Sequence, residues 1–169
     1  MPDPRGFVYL DALNRRVDRF DLSDVFNRLA HCTITLLNMR VANRFKDWLR
    51  QAEADLEHAR HSYDSRDFEW SCFAAQQASE KALRSVFLNQ GKDVSGHTDT
   101  ILLGNLSESL SVPEDLFDCA KTLDKHYIPT RYPNGFDEGA PTDFYTEGES
   151  IQAMGCAERI IEYCRNQVH

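Results

Sequence analysis

Between Phe68 and Asn89 the chain carries Trp70, Phe73, Ala74, Ala75, Ala78, Ala82, Leu83, Val86 and Phe87. At about 100° per residue these positions cover most of the circumference of a helix. A helix that is apolar nearly all round must be surrounded by other elements, so this segment predicts the middle of a bundle. Gly91 supplies its stop.

Neighbouring segments provide what such a helix packs against. Phe45, Leu49, Ala52, Leu56, Ala59 and Tyr63 recur three and four apart, which predicts a helix over about 43–65 with Asn43 as its N-cap. Leu102, Leu103, Leu106 and Leu110 predict a short helix entered at His97-Thr98-Asp99. Ser111 and Glu114 stand at capping-box spacing with Pro113 between them, predicting a helix with Leu116, Ala120, Leu123 and Tyr127 on its stripe. A last helix is expected over about 143–166, with Met154, Ala157, Ile161 and Cys164 on one face. No strand pattern follows Met39. The expected fold class is therefore all-α, an up-and-down four-helix bundle with a short extra helix.

A chain of 169 residues is long enough for one good core. Residues 1–39 read differently from the rest, with closely spaced charges and a β-like run from Cys32 to Leu37. They are either an amphipathic extension or a leader upstream of a start at Met39, and the leader reading is preferred. Residues 40–169 form the expected domain. The formal charge of -8 argues against a duplex-DNA or general RNA binder, because neutralising phosphates needs surplus Lys and Arg. The five cysteines are odd in number and lack a C-x-x-C pair, which predicts reduced, mostly buried thiols and a cytoplasmic setting. No apolar run suggests a membrane span.

Two polar features stand out against this apolar pattern. Gln77, Glu80, Lys81 and Arg84 fall on one narrow strip of the Phe68–Asn89 helix, flanked by Trp70 and Phe73. Such a strip on a buried helix is a paired network or a cleft lining in which Lys81 and Arg84 face an anion. The second feature is the stretch from Lys125 to Gly135, where Pro129 and Pro133 bracket Thr130, Arg131 and Tyr132. Proline pushes the preceding residue out of the helical region, so Ile128 and Tyr132 are expected to be extended and Arg131 held out at low entropic cost. Arg131 then either meets a ligand or clamps the acidic segment containing Asp137, Glu138, Asp143 and Glu147.

Signatures of the common hydrolases, metalloproteases and nucleotide-binding loops are absent. His58 and His61 share a helix face but have no recognisable third ligand, and are read as a solvated pair. His97 is expected to pack at a helix entry, and His126 to act as a cation near a helix C-terminus.

Three pieces carry a family pattern: Phe45-x-x-Trp48-Leu49-x-Gln51-Ala52-x-x-Asp55-Leu56, then Trp70-x-x-Phe73-x-x-Gln76-Gln77-Ala78-x-Glu80-Lys81-Ala82-Leu83, then Tyr127-Ile128-Pro129-Thr130-Arg131-Tyr132-Pro133-Asn134. Together they resemble the HEPN domain over roughly residues 39–168, in the branch of small prokaryotic HEPN proteins and the C-terminal domain of sacsin. The resemblance implies a compact helical homodimer. It also implies either a nucleotide-binding module or the toxin, often an RNase, of a toxin–antitoxin pair with a minimal nucleotidyltransferase. In that second case Tyr132 or Tyr127 is the residue to examine as a nucleotidylation acceptor. The RNase branch uses an Arg followed after four to six residues by a His, and no Arg here has a His at that spacing. The expectation is therefore binding rather than catalysis. It places a nucleotide such as ATP or GTP, with no required cofactor or metal, against Arg131, Lys81, Arg84, Gln77, Glu80, Tyr132 and Thr130.

Overall fold

The computed structural model describes residues 44–92 and 94–168. The expectations for Asn43 and for residues 1–39 lie outside them. Among the described residues the elements are helical: α1 (Phe45–Asp64), α2 (Phe68–Asn89), α3 (Asp99–Ser107), α4 (Glu114–Asp124), a 3-10 turn (Pro133–Gly135), the single-turn α5 (Pro141–Phe144) and α6 (Glu147–Gln167). The fold is an all-α bundle. No helix among the described residues is long and apolar enough to cross a membrane.

Helix α2 occupies the centre, packed against α1 along one side and α6 along another, with α3 and α4 closing the remainder. Its small residues allow this crowding: Ala75, Ala78 and Ala82 are fully buried, as are Ser71, Ser79 and Ser85. Leu83, Leu102, Leu103, Leu106, Leu123 and Ile160 fill the space between the helices. A buried Leu of this kind is worth about 3 kcal/mol or more against truncation to Ala. Buried hydroxyls need partners. Ser150 Oγ donates to Ser71 Oγ at 2.5 Å and Ser71 Oγ to the Ala59 carbonyl at 2.8 Å, which ties α6, α2 and α1 together.

The predicted span of α2 matches the observed one end to end, and Gly91 adopts the left-handed conformation (φ 68°) that ends it. Four boundaries differ from expectation: α3 ends at Ser107, before Leu110, α4 ends at Asp124, before Tyr127, and the starts of α4 and α6 are shifted or capped differently. Helix α4 is capped by Pro113, with no side-chain capping bond, so Ser111 is not its cap. The Ser111 carbonyl instead accepts from the Tyr163 hydroxyl at 3.3 Å. Helix α6 begins at Glu147 and not near Asp143, because Tyr145 and Thr146 are extended. A capping box makes that start: the Glu149 amide donates to Thr146 Oγ1 at 3.4 Å, and the Thr146 amide to Glu149 Oε2 at 2.9 Å.

Candidate functional site

The strip on α2 is a connected network. Glu80 is nearly buried, 5% exposed, and its Oε1 accepts from Arg84 Nε at 3.0 Å and lies 3.0 Å from His97 Nδ1. Arg84's other two nitrogens are bonded as well. Nη1 donates to the Val94 carbonyl at 2.6 Å, Nη2 donates to the Gly96 carbonyl, and the guanidinium lies 5.8 Å from the Trp48 ring. Arg84 therefore fastens the α2–α3 connection to α2. Lys81 reaches across to α1, where Nζ sits 2.6 Å from Asp55 Oδ2. Gln77 bridges the two halves, its Nε2 donating to Gln76 Oε1 at 2.7 Å and its Oε1 accepting from Lys81 at 3.4 Å. Beside Lys81, a shallow depression of about 440 Å³ is lined by Arg44, Asp47, Trp48, Arg50 and Gln51.

Arg131 is held in a different way. Residues 125–131 form a run of turns after α4, and Tyr132 is extended (φ -130°, ψ 125°) ahead of Pro133. The Arg131 amide donates to the Ile128 carbonyl at 3.1 Å. Arg131 Nε and Nη2 both donate to the Tyr127 carbonyl, at 3.0 and 2.7 Å. Three rings surround its guanidinium carbon: Phe73 at 4.4 Å, Tyr127 at 4.9 Å and Tyr132 at 5.3 Å. Guanidinium stacks on ring faces this way because it is planar and weakly hydrated. Among the described residues no carboxylate lies within ion-pair distance of it, so the acidic clamp is not formed. Asp143 instead accepts from the Ala140 amide, and Glu147 from the Tyr63 hydroxyl, each at 2.8 Å.

Thr130 is buried and turned inward, its Oγ1 donating to the His126 carbonyl at 2.6 Å. It fixes the loop's backbone. His126 also corrects its expectation. It is buried against the Tyr145 ring with Nδ1 unpartnered, and burial lowers its pKa, so the ring is neutral and not a helix-capping cation.

The two features meet through residues that sequence reading assigned other roles. The His97 ring stacks on Tyr127, centroids 5.3 Å apart and planes 13° apart, while its Nδ1 faces Glu80. Phe73, beneath Arg131, stands one helical turn before Gln77. Glu80, His97, Tyr127 and Arg131 thus form one continuous path, although Arg131 and Lys81 do not line a common depression. The i+4 placement of Phe73 and Gln77 was legible in the sequence. The Lys81–Asp55 pair and the His97 stack were not.

Asp99, the first residue of α3, is buried below the strip. The one Ser79 hydroxyl proton is shared between two acceptors, the Gln76 carbonyl at 2.8 Å and Asp99 Oδ2. Burial pushes the Asp99 carboxyl well above its usual range, with Asp124 and Glu80 adding to the effect and the bond to Ser79 opposing it. Asp124 caps α3 from outside, accepting from the Asp99 amide at 2.7 Å and from Thr100 Oγ1 at 2.6 Å.

What these elements define is a helical module with a paired polar core and one ring-held arginine at its edge. The chain belongs to the HEPN domain family, which it matches over residues 45–167. It is similar to TT1696 of Thermus thermophilus, with a TM-score of 0.73, 44% identity, and coverage of 75% of this chain and 99% of that one. It is 22% identical to the candidate toxin MJ1304 of Methanocaldococcus jannaschii over 76% of this chain and 89% of the relative. Human sacsin is 29% identical over 68% of this chain, a stretch that spans 3% of sacsin.

Proposed function

We propose that the chain is a dimeric HEPN module that binds a nucleotide, or a similar anionic ligand, at Arg131. The observation that carries this reading is a half-buried guanidinium on a stiffened loop, enclosed by three rings, with no carboxylate partner among the described residues. Two of its N–H groups are spent on the Tyr127 carbonyl, and the others remain to meet a phosphate. Tyr132, 49% exposed, offers a face to a base. Lys81, paired with Asp55, and Gln77 lie further along α2 and belong to the network behind this site. Glu80, Arg84 and Thr130 hold the frame. A contiguous aromatic surface, in which the half-exposed Trp70 lies edge-on to Phe73, supports self-association next to this site.

Calorimetric titration of ATP and GTP into wild type and Arg131→Ala tests the ligand. Binding by wild type and a loss of about 30-fold in the variant are expected, equivalent to about 2 kcal/mol for charge-assisted hydrogen bonds. Absence of heat at saturating nucleotide, or equal affinities, overturns the reading. Sedimentation at varied concentration tests the dimer.

Similarity to a candidate toxin supports a second reading, in which the chain partners a minimal nucleotidyltransferase and acts in a toxin–antitoxin pair. Co-purification of a nucleotidyltransferase with the tagged chain from its native cells favours this reading, and purification alone counts against it.

A further inference from the structure

His97 takes no part in the proposed ligand site, yet α2 holds both its backbone and its ring. Its carbonyl accepts from Gln76 Nε2 at 3.3 Å, and the preceding Gly96 carbonyl accepts from Arg84. Its Nδ1 lies 3.0 Å from Glu80 Oε1 on the same helix. The side chain is nevertheless 59% exposed, so the ring adds little to the core. What it touches instead is Tyr127, whose ring it stacks on with centroids 5.3 Å apart and planes 13° apart.

Tyr127 needs that support. It stands just past the end of α4, and its amide reaches the Asp124 carbonyl at 3.4 Å, longer than a good hydrogen bond. Its backbone is therefore held loosely. Yet its carbonyl is the group that takes both Nε and Nη2 of Arg131. A tyrosine ring and its own carbonyl are joined by few torsions, so fixing the ring fixes the acceptor that aims the guanidinium. Phe73 supports Arg131 directly from α2, which makes the His97 route one of two.

We propose that His97 is a positioning residue for the ligand site, a role that rests on Arg131 being its ligand-binding group. Anchored on Glu80, His97 holds Tyr127, and Tyr127 aims Arg131. Hydrogen bonds from a guanidinium to a phosphate are directional, and a guanidinium that wanders loses more entropy on binding. The dependence runs one way. The α2 network positions Arg131, while Arg131 makes no bond within that network.

The test compares the full chain as wild type, His97→Ala and His97→Phe in two measurements. The first needs no ligand: hydrogen exchange at the Arg131 Nε–H, followed by NMR and identified by its absence in Arg131→Ala. Exchange should be slow in wild type and clearly faster in His97→Ala. His97→Phe keeps a flat ring for Tyr127 but not the tie to Glu80, and should fall between them. The second measurement is calorimetric titration of ATP, with a loss of about 5-fold expected in His97→Ala, the scale of one aromatic pair. Added to Arg131→Ala, the same substitution should cost no further affinity. A purely structural role would lower the melting temperature of His97→Ala and leave exchange and affinity unchanged, which overturns the proposal. So does a His97→Phe protein that exchanges as fast as His97→Ala. ATP bound equally by wild type and His97→Ala overturns the positioning role and leaves Arg131 as the ligand group. Exchange that depends on His97 in a protein that gives no heat with ATP supports the positioning of Arg131 and overturns the nucleotide reading.

Discussion

Arg84 and Arg131 are the same side chain placed in two settings. Each of Arg84's three nitrogens is engaged: a buried carboxylate and two loop carbonyls each accept one N–H, and the loop depends on them. Arg131 leans on one carbonyl and three ring faces, none of which neutralises its charge. The contrast teaches that two cations near the same polar network are not equivalent, and that a residue's partners decide whether it can serve a ligand.

Breaking the engaged side of this comparison should produce the largest effect. Glu80→Ala leaves Arg84 and His97 facing a void in a nearly buried site, and is expected to cost about 3 kcal/mol in urea denaturation. A loss below a quarter of that would place Glu80 outside the framework.

Asp99→Asn comes next, and its effect depends on pH. Burial raises the folded pKa of Asp99 above its unfolded value. The folded state therefore holds a proton that the unfolded state releases as pH rises past the usual carboxylate range. The stabilisation is complete below the unfolded pKa and is lost as pH climbs toward the folded one, with a slope approaching about 1.4 kcal/mol per pH unit. Asn cannot release a proton. Urea midpoints between about pH 5 and about pH 8 should fall in wild type and stay flatter in the variant, and parallel curves would contradict a protonated Asp99.

The free side of the comparison should show the reverse balance. Arg131→Ala is expected to lose ring and carbonyl contacts worth about 1 kcal/mol of stability, while losing most nucleotide affinity. The smallest effect belongs to surface pairs. Arg165→Ala removes ion pairs to Glu53 and Glu162 that are half exposed, and should move stability by less than about 0.5 kcal/mol.

Much of the frame was legible because α2 writes its own limits. Its apolar periodicity ends where Gly91 can turn, and no tertiary contact is needed to see that. The start of α6 is equally local but hidden, since the Thr146-x-x-Glu149 box stands behind Asp143, Phe144 and Tyr145, which read as the helix's first turn. The site was legible only in part. The strip followed from angular arithmetic, and the prolines marked Arg131. Which cation is paired depends on contacts far apart in sequence, such as Lys81 with Asp55 and Arg84 with the Val94 and Gly96 carbonyls. His97 shows the same limit. Its position ahead of α3 predicted helix-entry packing, and only the fold brings it between Glu80 and Tyr127.

The central claim is that Arg131 is separable from the framework that Arg84 belongs to. The most direct measurement is the melting temperature of wild type and Arg131→Ala, each with and without saturating ATP. Without ATP the account predicts a drop of only a few degrees in the variant, well short of that in Glu80→Ala, and on adding ATP a rise in wild type alone, because a ligand stabilises only the state that binds it. Melting of the ligand-free variant as low as that of Glu80→Ala, or an equal ATP-induced rise in both proteins, would contradict it.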